Sequence, residues 1–312
     1  MVLSTQFIKR KGAIMNPNLI VFTELCKEKN IPYKIIHEYG NFIEVKSKKG
    51  EAFVFTVGTT PFNSQSVERM CEDKEFFYNY YKDVIRMPDS KGFVKPNCNE
   101  KWQDSVKFKT IDEITAETER NFVYPFITKM NRGSQGRCVF KVKNRQEFHQ
   151  ALNEIYDADY VALVQNCIDI KSEYRVLYLN KKLMFAYKKN NDNAVFSGNL
   201  SPLHFDGAYA EIVENKNLLN AFDKFVQPML NKMNIPFCGL DIALDRQNKM
   251  WLIEGNCAPG FGYLLQNPRG TDLLKGLYTE MFKALDILPQ HEHSLLKDYW
   301  MAQQSRPHSR GQ

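Results

Sequence analysis

Two acidic residues and an asparagine stand at a spacing that suits a metal ion. In the stretch GLDIALDRQNKMWLIEGN, Glu254 and Asn256 are separated by one residue, and Asp241 precedes them across a predicted turn. Side chains two residues apart share one face of a strand, and a hairpin brings Asp241 close to that face. Two facing carboxylates repel each other unless a cation lies between them, and such oxygen ligands suit a hard divalent ion such as Mg²⁺. The alternative is a hairpin whose acidic side chains are simply solvated at an edge.

A glycine-rich loop between two apolar runs is the second candidate site, for binding phosphates. The stretch TKMNRGSQGRCVFKV places Gly133 and Gly136 in a basic loop directly after Lys129. The loop lacks the spacing of a Walker P-loop and of a dinucleotide-binding turn, and it is flanked by strands. Its backbone N–H groups could still cover phosphates that the Lys129 ammonium also reaches. Otherwise the loop is a plain hairpin turn, and Lys129 is an ordinary lysine at a strand end.

Two further charged positions are less specific. In KSEYRVLYL, Glu173 and Arg175 share one strand face. They form either a surface ion pair or an acceptor and a guanidinium that face a ligand. Lys74, in EDKEFFYNYY, is one charge on a charged helix and has no specific signal of its own.

The composition limits the class of protein. The chain has 312 residues, of which 43% are hydrophobic and 25% charged, as in a soluble globular protein of two or three lobes. No apolar run reaches the roughly 18 residues that span a bilayer, and the first residues lack a secretory signal, so we expect a cytoplasmic protein without a membrane partner. The seven scattered cysteines indicate reduced thiols. A net charge of +6 suits an anionic partner, but the interspersed charges argue against nucleic acid.

The elements that must position these residues fall into successive segments. Residues 1–90 alternate helical and strand-like runs and predict an amino-terminal lobe, with one helix over SQSVERMCEDKEFFYNYYKD. Residues 91–168 predict an α+β lobe of helix, hairpin, helix and strand that carries the glycine loop. Residues 169–290 combine two hairpins with two helices, and residues 291–312 are expected to be a flexible tail. Pro88, Gly92, Pro96 and the stretch NCNEKW predict the connection between the first two segments.

Five landmarks follow one another between Asp73 and Gly260: DK, ITKMNRGSQGRCV, VQNCI, EYRV with the later GNL, and GLDIAL with WLIEGNCAPGF. In this order they resemble the ATP-grasp superfamily of carboxylate-amine ligases. The chain is similar to the amino-acid ligase branch, which includes cyanophycin synthetase, the glutamate ligases of ribosomal protein, glutathione synthetase and D-alanine-D-alanine ligase. The resemblance implies an ATP-grasp fold of the α+β / α/β class, with two α+β lobes that clasp ATP after a smaller α/β amino-terminal lobe.

The resemblance also implies roles for the candidate residues. Phosphate-binding lysines, a loop that closes over the phosphates, an adenine hinge at the end of a strand and a ribose-binding glutamate would bind ATP. The residues in these positions are Lys74, Lys129, Asn131, Gly133, Ser134, Gln135, Gly136, Gln165, Asn166, Cys167, Ile168 and Glu173. Asp241, Glu254 and Asn256 would hold Mg²⁺, with Mn²⁺ as the alternative. Arg175, Lys129 and Asn199 are the expected catalytic residues beside the transferred phosphoryl group.

The reaction that this resemblance implies is ATP-dependent amide formation. ATP converts a carboxylate into an acyl phosphate, an amine displaces the phosphate, and the small-molecule substrates are amino acids or small peptides. A phosphotransferase on the same fold and a non-catalytic ATP-binding regulatory protein are the alternatives. Leu240 precedes Asp241, whereas D-alanine ligases carry an arginine near this hairpin, which argues against a cell-wall dipeptide ligase.

Smaller departures and a substrate pocket complete the comparison with that family. The hinge has Gln165-Asn166 where Glu-Lys or a similar pair is frequent, and Met130 replaces a frequent proline. The first residues to test in the acceptor pocket are His204, Tyr209, Tyr263 and Arg269. A homodimer is the default oligomeric state.

Overall fold

A computed structural model describes residues 9–10, 13–98 and 100–305. The helices in this part of the chain are α1 (Pro17–Glu28), α2 (Gln65–Glu72), α3 (Lys74–Tyr81), α4 (Glu100–Gln103), α5 (Ile111–Asn121), α6 (Arg145–Tyr156), α7 (Lys216–Lys232), α8 (Gly270–Ala284) and α9 (Leu295–Ser305). The strands are β1 (Lys9–Arg10), β2 (Ala13–Ile14), β3 (Tyr33–Ile35), β4 (Phe42–Lys46), β5 (Ala52–Thr56), β6 (Ser90–Val94), β7 (Phe126–Met130), β8 (Val139–Val142), β9 (Val161–Asn166), β10 (Ile170–Leu179), β11 (Lys182–Asn190), β12 (Tyr209–Ile212), β13 (Phe237–Asp245) and β14 (Met250–Asn256).

The described strands form antiparallel sheets around two separate hydrophobic clusters. One sheet has the order β6-β9-β7-β8, and a five-stranded sheet has the order β12-β11-β10-β13-β14. The first cluster lies between residues 93 and 164 and contains Phe126 and Phe148. The second joins the amino-terminal elements to the five-stranded sheet and α8, with Phe22 and Phe282 in edge-to-face contact. The amino-terminal segment therefore shares its core with the carboxy-terminal segment. No described helix is long and apolar enough to cross a bilayer.

The helix predicted over residues 64–83 is broken at Asp73. This residue has an extended backbone, with φ −96° and ψ 102°, and its Oδ1 accepts a hydrogen bond from the Phe76 N–H at 3.0 Å. An aspartate side chain competes well for the free N–H groups of a helix start, so it caps α3 instead of continuing α2. The single-helix prediction is wrong, and the break makes Lys74 the first residue of α3.

The connection predicted around Gly92 is also wrong, because residues 90–94 form the edge strand β6. The strand pairs antiparallel with β9, with Ser90 opposite Gln165. The Gly92 N–H donates to Glu75 Oε1 at 2.9 Å, and a Cβ at Gly92 would lie only 2.1 Å from Glu75 Oε2. The glycine here therefore leaves room for a carboxylate from α3 and does not form a turn.

The carboxy-terminal segment is more ordered than the sequence indicates. Instead of a flexible tail from residue 291, α9 packs on α8 with Leu296 and Tyr299 buried. The indole N–H of Trp300 donates to the Met184 carbonyl at 3.1 Å. Tyr299 and Trp300 supply apolar surface against the core that a polar tail would lack. Residues 306–312 of the predicted tail lie outside the described residues.

Candidate functional site

Three of the charged site candidates, Arg175, Asp241 and Glu254, lie in one row across the five-stranded sheet. The register pairs Arg175 with Asp241, and Asp241 with Glu254. Two rows further along the strands, and so on the same face, Gly239 lies opposite Asn256. Directly opposite residues project from the same face, so the hairpin brings Asp241, Glu254 and Asn256 together, as their spacing indicates.

Asp241 lies at the centre of a buried charge network. Arg175 donates two parallel hydrogen bonds, from Nε to Oδ1 and from Nη2 to Oδ2, both at 2.7 Å. Lys189 Nζ donates to Oδ2 at 2.7 Å and also forms an ion pair with Glu173 Oε1. Burial raises the pKa of Asp241, but Arg175 and Lys189 outweigh it and hold that pKa well below its usual range. Burial also opposes the charge of Lys189, yet Asp241 and Glu173 keep its pKa above the usual value.

Lys189 is a site residue that the sequence does not reveal. A simple hairpin closed by Asn180-Lys181 would pair Glu173 with Lys188. The register shifts between Leu177 and Tyr178, however, so that Tyr174 pairs with Lys188. A shift of one residue moves every later side chain to the other face, which places Lys189 beside Glu173. The position of Lys189 depends on this β-bulge, and the residue types in the two strands do not predict the bulge.

Glu254 is the carboxylate that remains available to a metal ion. Its Oε1 accepts only a long hydrogen bond of 3.5 Å from Asn256 Nδ2, and its Oε2 lies 4.0 Å from Lys74 Nζ. Both oxygens of Asp241 are bound to cationic side chains, but Oδ1 accepts only the bond from Arg175 Nε. The described residues contain no cluster of three histidine, cysteine or acidic ligands. The oxygen set of Asp241, Glu254 and Asn256 fits Mg²⁺, which takes one or two carboxylates and keeps its other positions for water and phosphate.

Two lysines flank the start of the glycine loop. Lys129 is 6% exposed, and its Nζ donates to Gln165 Oε1 at 3.0 Å. Burial lowers the pKa of Lys129 to about 8, and the positive charge of Lys74 adds to this, against the opposing effect of Glu254. Lys74 Nζ donates to the Gly133 carbonyl at 2.6 Å. The Lys74 ammonium therefore lies where the loop begins, and Lys129 lines the same cavity.

The glycine loop is closed against the loop that follows β11. Asn199 Nδ2 donates to the Gln135 carbonyl at 2.8 Å, and Asn199 Oδ1 accepts from the Ser201 N–H at 2.9 Å. Gly136 has φ +67°, and a Cβ there would lie 1.9 Å from Asn199 Oδ1. Glycine is required at this position both by its backbone conformation and by the close approach of Asn199.

A cavity of about 620 Å³ joins these groups. Its wall includes Lys74 and Lys129, the glycine loop and the charge network around Asp241. It also includes the other two metal candidates, Glu254 and Asn256. The predicted residues that line it are Lys74, Lys129, Gly133, Ser134, Gln135, Gly136, Glu173, Arg175, Asp241, Glu254 and Asn256, together with Lys189. Of the acceptor-pocket candidates, His204 and Tyr263 line it and form a hydrogen bond of 3.2 Å, whereas Tyr209 and Arg269 do not line it.

Several predicted site residues lie away from the cavity wall. Asn131 is 2% exposed and its side chain accepts from the Glu75 N–H. Gln165 is buried between Lys129 and Ser90, and Asn166 donates to Asp89. Asn199 contacts the glycine loop instead of the cavity. The hinge residues Gln165, Asn166, Cys167 and Ile168 are likewise not part of this wall. The side chains of Asn131, Gln165 and Asn199 are therefore engaged with the protein.

The fold and the site together define an ATP-grasp protein. The model of the RimK-like ATP-grasp domain matches residues 91–278, more than half of the chain. The chain belongs to this family, as the order of its motifs indicates.

Ligases are among the solved structures that the chain distantly resembles. The D-alanine-D-alanine ligase from Coxiella burnetii is 15% identical, with a TM-score of 0.48 over 78% of this chain and 61% of that one. For a D-alanine-D-alanine ligase from Bacillus anthracis the identity is 15% and the TM-score 0.49, over 75% and 69% of the two chains. A bifunctional glutathione synthetase from Pasteurella multocida is 14% identical, with a TM-score of 0.49 over 85% of this chain and 44% of that one. The chain thus spans about three fifths of the length of the Coxiella ligase. No curated protein matches the sequence.

Proposed function

We propose that the protein is an ATP-dependent, ADP-forming carbon-nitrogen ligase, which joins a carboxylate to an amine through an acyl phosphate. The observation that carries this proposal is the buried pair of Arg175 and Asp241 in the same cavity as Lys129, the glycine loop and Glu254. Membership in the RimK-like ATP-grasp family supports it. Residues 91–168 would form the lid lobe and residues 169–290 the lobe with the metal site.

The cationic side chains would act on the negative charge of the reactants. A carboxylate oxygen attacks the γ-phosphorus of ATP, the bond to ADP breaks, and an acyl phosphate forms. Lys74 and Lys129 would neutralise charge on the phosphates, because both line the cavity beside the loop. A bound Mg²⁺ would add Lewis-acid stabilisation of the phosphate oxygens.

Arg175 is suited to hold the acid and to stabilise the second step. A guanidinium carries five N–H bonds, and Asp241 engages two of those on Arg175. The remaining donors would bind the carboxylate, and then the oxyanion that develops when the amine attacks the acyl carbon. Phosphate leaves and takes up the proton that the nitrogen loses. The closed glycine loop would exclude water, which otherwise hydrolyses the acyl phosphate.

The proposed substrates are small acids and amines, such as amino acids or short peptides. A cavity of about 620 Å³ is in the range of small-molecule sites. His204 and Tyr263 add a neutral hydrogen-bonding pair to its wall, since burial and the charge of Lys189 lower the pKa of His204.

A trapping experiment tests the reaction class. The protein is incubated with Mg-ATP, a panel of carboxylic acids and hydroxylamine, and ADP, phosphate and hydroxamates are measured. Acid-dependent hydroxamate with equal ADP and phosphate supports the ligase. A stable phosphorylated acid or alcohol without hydroxamate would instead indicate a phosphotransferase, and no turnover would indicate a binding protein. Arg175→Ala should lose the hydroxamate, whereas Arg246→Ala, in an exposed ion pair with Asp169, should retain it.

A further inference from the structure

A seam of hydrogen bonds joins the first turn of α3 to the start of the glycine loop. Asp73 caps the helix through the Phe76 N–H, but the Glu75 N–H donates to a side chain at the start of the loop that follows β7. That acceptor is Asn131 Oδ1, at 2.9 Å. The first N–H groups of a helix have no partner within the helix, so Asn131 completes the cap of α3 from outside.

Asn131 also holds Lys74 through its main chain. Its carbonyl oxygen accepts from the Lys74 backbone N–H and from Lys74 Nζ, both at 3.3 Å. The Asn131 N–H in turn donates to the Val161 carbonyl at 3.1 Å, which ties it to the start of β9. Asn131 is therefore anchored in the four-stranded sheet while it locates the first residue of α3.

Residues next to Asn131 and Lys74 add further contacts between α3 and the start of the glycine loop. Arg132 forms an ion pair of 3.3 Å with the buried Asp73, and the Arg132 N–H donates to Asp159 Oδ2 at 2.9 Å. On the other side of Asn131, the Glu75 carboxylate accepts from the Gly92 N–H. Three consecutive residues of the α3 start thus contact the sheet that carries the loop.

We infer that Asn131 is a positioning residue, which acts on bound nucleotide through Lys74 without touching the nucleotide itself. It is nearly fully buried and lies outside the cavity wall, whereas Lys74 lines the cavity 4.0 Å from Glu254 Oε2. Removal of its side-chain acceptor keeps the main-chain carbonyls that bind Lys74, but it frees the Glu75 N–H and loosens α3 relative to the loop, so the Lys74 ammonium is held less firmly. The inference rests on the proposed function in one respect, namely that Lys74 binds phosphate.

The test measures nucleotide binding by calorimetry, with a non-hydrolysable ATP analogue and Mg²⁺ at pH 7. Asn131→Ala should weaken binding about fivefold, because the roughly 1 kcal/mol that a lost capping acceptor costs falls here on the arrangement of α3 that places Lys74 in the cavity. Asn131→Asp keeps an acceptor of the same shape and should recover most of the affinity. Asn144→Ala is the matched control. Its Oδ1 caps α6 by accepting from the Glu147 N–H at 2.9 Å, and Asn144 does not line the cavity. This variant should lower stability and leave the affinity unchanged.

A double mutant separates positioning from direct contact. In a Lys74→Met background, Asn131→Ala should change the affinity by less than about twofold, since the group through which it acts is already gone. An equal loss in both backgrounds, or an unaffected Asn131→Ala variant, would overturn the inference. Absence of ligase turnover with intact nucleotide binding would refute only the proposed reaction. A wild-type protein that binds no nucleotide would refute both.

Discussion

Arg175 and Asp241 form a bidentate ion pair on neighbouring strands, with both hydrogen bonds at 2.7 Å. Their side chains are 15% and 3% exposed, so water does little to screen them. The pair lies in the same strand row as Glu254 and next to Lys189. The pair therefore stabilises the sheet and also contributes charged groups to the cavity wall.

Loss of the guanidinium should destabilise the protein strongly. Arg175→Ala removes one partner of a buried pair, and we expect the free energy of unfolding to fall by about 3–5 kcal/mol. Arg175→Lys keeps the charge but not the two parallel bonds, so it should recover only part of the loss. Urea unfolding measures both variants. Arg246→Ala is the control, because its pair with Asp169 is 68% and 69% exposed, and it should cost no more than about 1 kcal/mol. Equal effects at the two sites would contradict the buried network.

The two carboxylates of the proposed metal site, Glu254 and Asp241, should differ in importance for metal binding. Glu254 has no strong hydrogen-bond partner, whereas Asp241 is neutralised by two cations. Glu254→Gln should therefore raise the Mg²⁺ concentration for half-maximal nucleotide binding by roughly tenfold or more, while leaving stability nearly unchanged. The main effect of Asp241→Asn should instead be a loss of stability, because Arg175 and Lys189 lose their counter-charge. A Mg²⁺ titration and urea unfolding of both variants check this. Metal dependence that Glu254→Gln leaves unaltered would exclude the carboxylate as a ligand.

Nucleotide affinity should fall at alkaline pH because of Lys129. Its pKa is lowered to about 8 by burial, so its charge is lost as the pH rises through 8, well below the usual value of 10.5. Stability changes in the opposite direction. Below pH 8 the folded state holds a buried ammonium, which costs roughly 3 kcal/mol, and this cost disappears between about pH 8 and 10.5. Calorimetry with the ATP analogue at pH 7, 8 and 9 measures the affinity. Lys129→Met should remove this part of the pH dependence, and an unchanged profile in that variant would assign it to another group.

Much of the fold follows from local sequence, but the long-range pairings do not. Thr110 and Asn144 cap their helices as side chains of this type do, and Asn180-Lys181 closes its hairpin with φ values of +47° and +63°. Strand β6 is different, since its pairing with β9 spans about 70 residues and its glycine suggests a turn. Such an edge strand is specified by its partners and not by its own residues.

The candidate site shows the same division. The spacing of Asp241, Glu254 and Asn256 is local to one hairpin and predicts their shared face. Lys189 enters only because a bulge shifts the register of β10 and β11, and nothing in the apolar run marks that shift. Conversely, the resemblance assigns Asn131 and Asn199 to the nucleotide or phosphoryl group, whereas their side chains bind the backbone of the protein. Asparagine is suited to both uses, so its type alone does not distinguish them.

The carboxy-terminal helix should contribute to stability. Removal of residues 295–312 exposes the surface that Leu296 and Tyr299 cover, and it breaks the Trp300 hydrogen bond to Met184. Burial of each large apolar side chain is worth about 1.5–3 kcal/mol, so the free energy of unfolding should fall by several kcal/mol. Removal of residues 306–312 alone is the control for chain length. Similar unfolding curves for the two truncated proteins would contradict the packing of α9.

Gly136 should be required for nucleotide affinity more than for stability. Its φ is +67°, and an added Cβ would lie 1.9 Å from Asn199 Oδ1, so any side chain both strains the loop and pushes Asn199 away from the Gln135 carbonyl. Gly136→Val should therefore raise the KM for ATP by roughly tenfold or more, because the loop closes less often over the phosphates. Gly50→Ala separates the two causes: its φ is +85°, but nothing lies within 4 Å of the added Cβ, so only backbone strain is introduced. That variant should lose about 1 kcal/mol of stability with an unchanged KM. Unaltered ATP kinetics in Gly136→Val would mean that the loop is an ordinary turn and not the lid of the cavity.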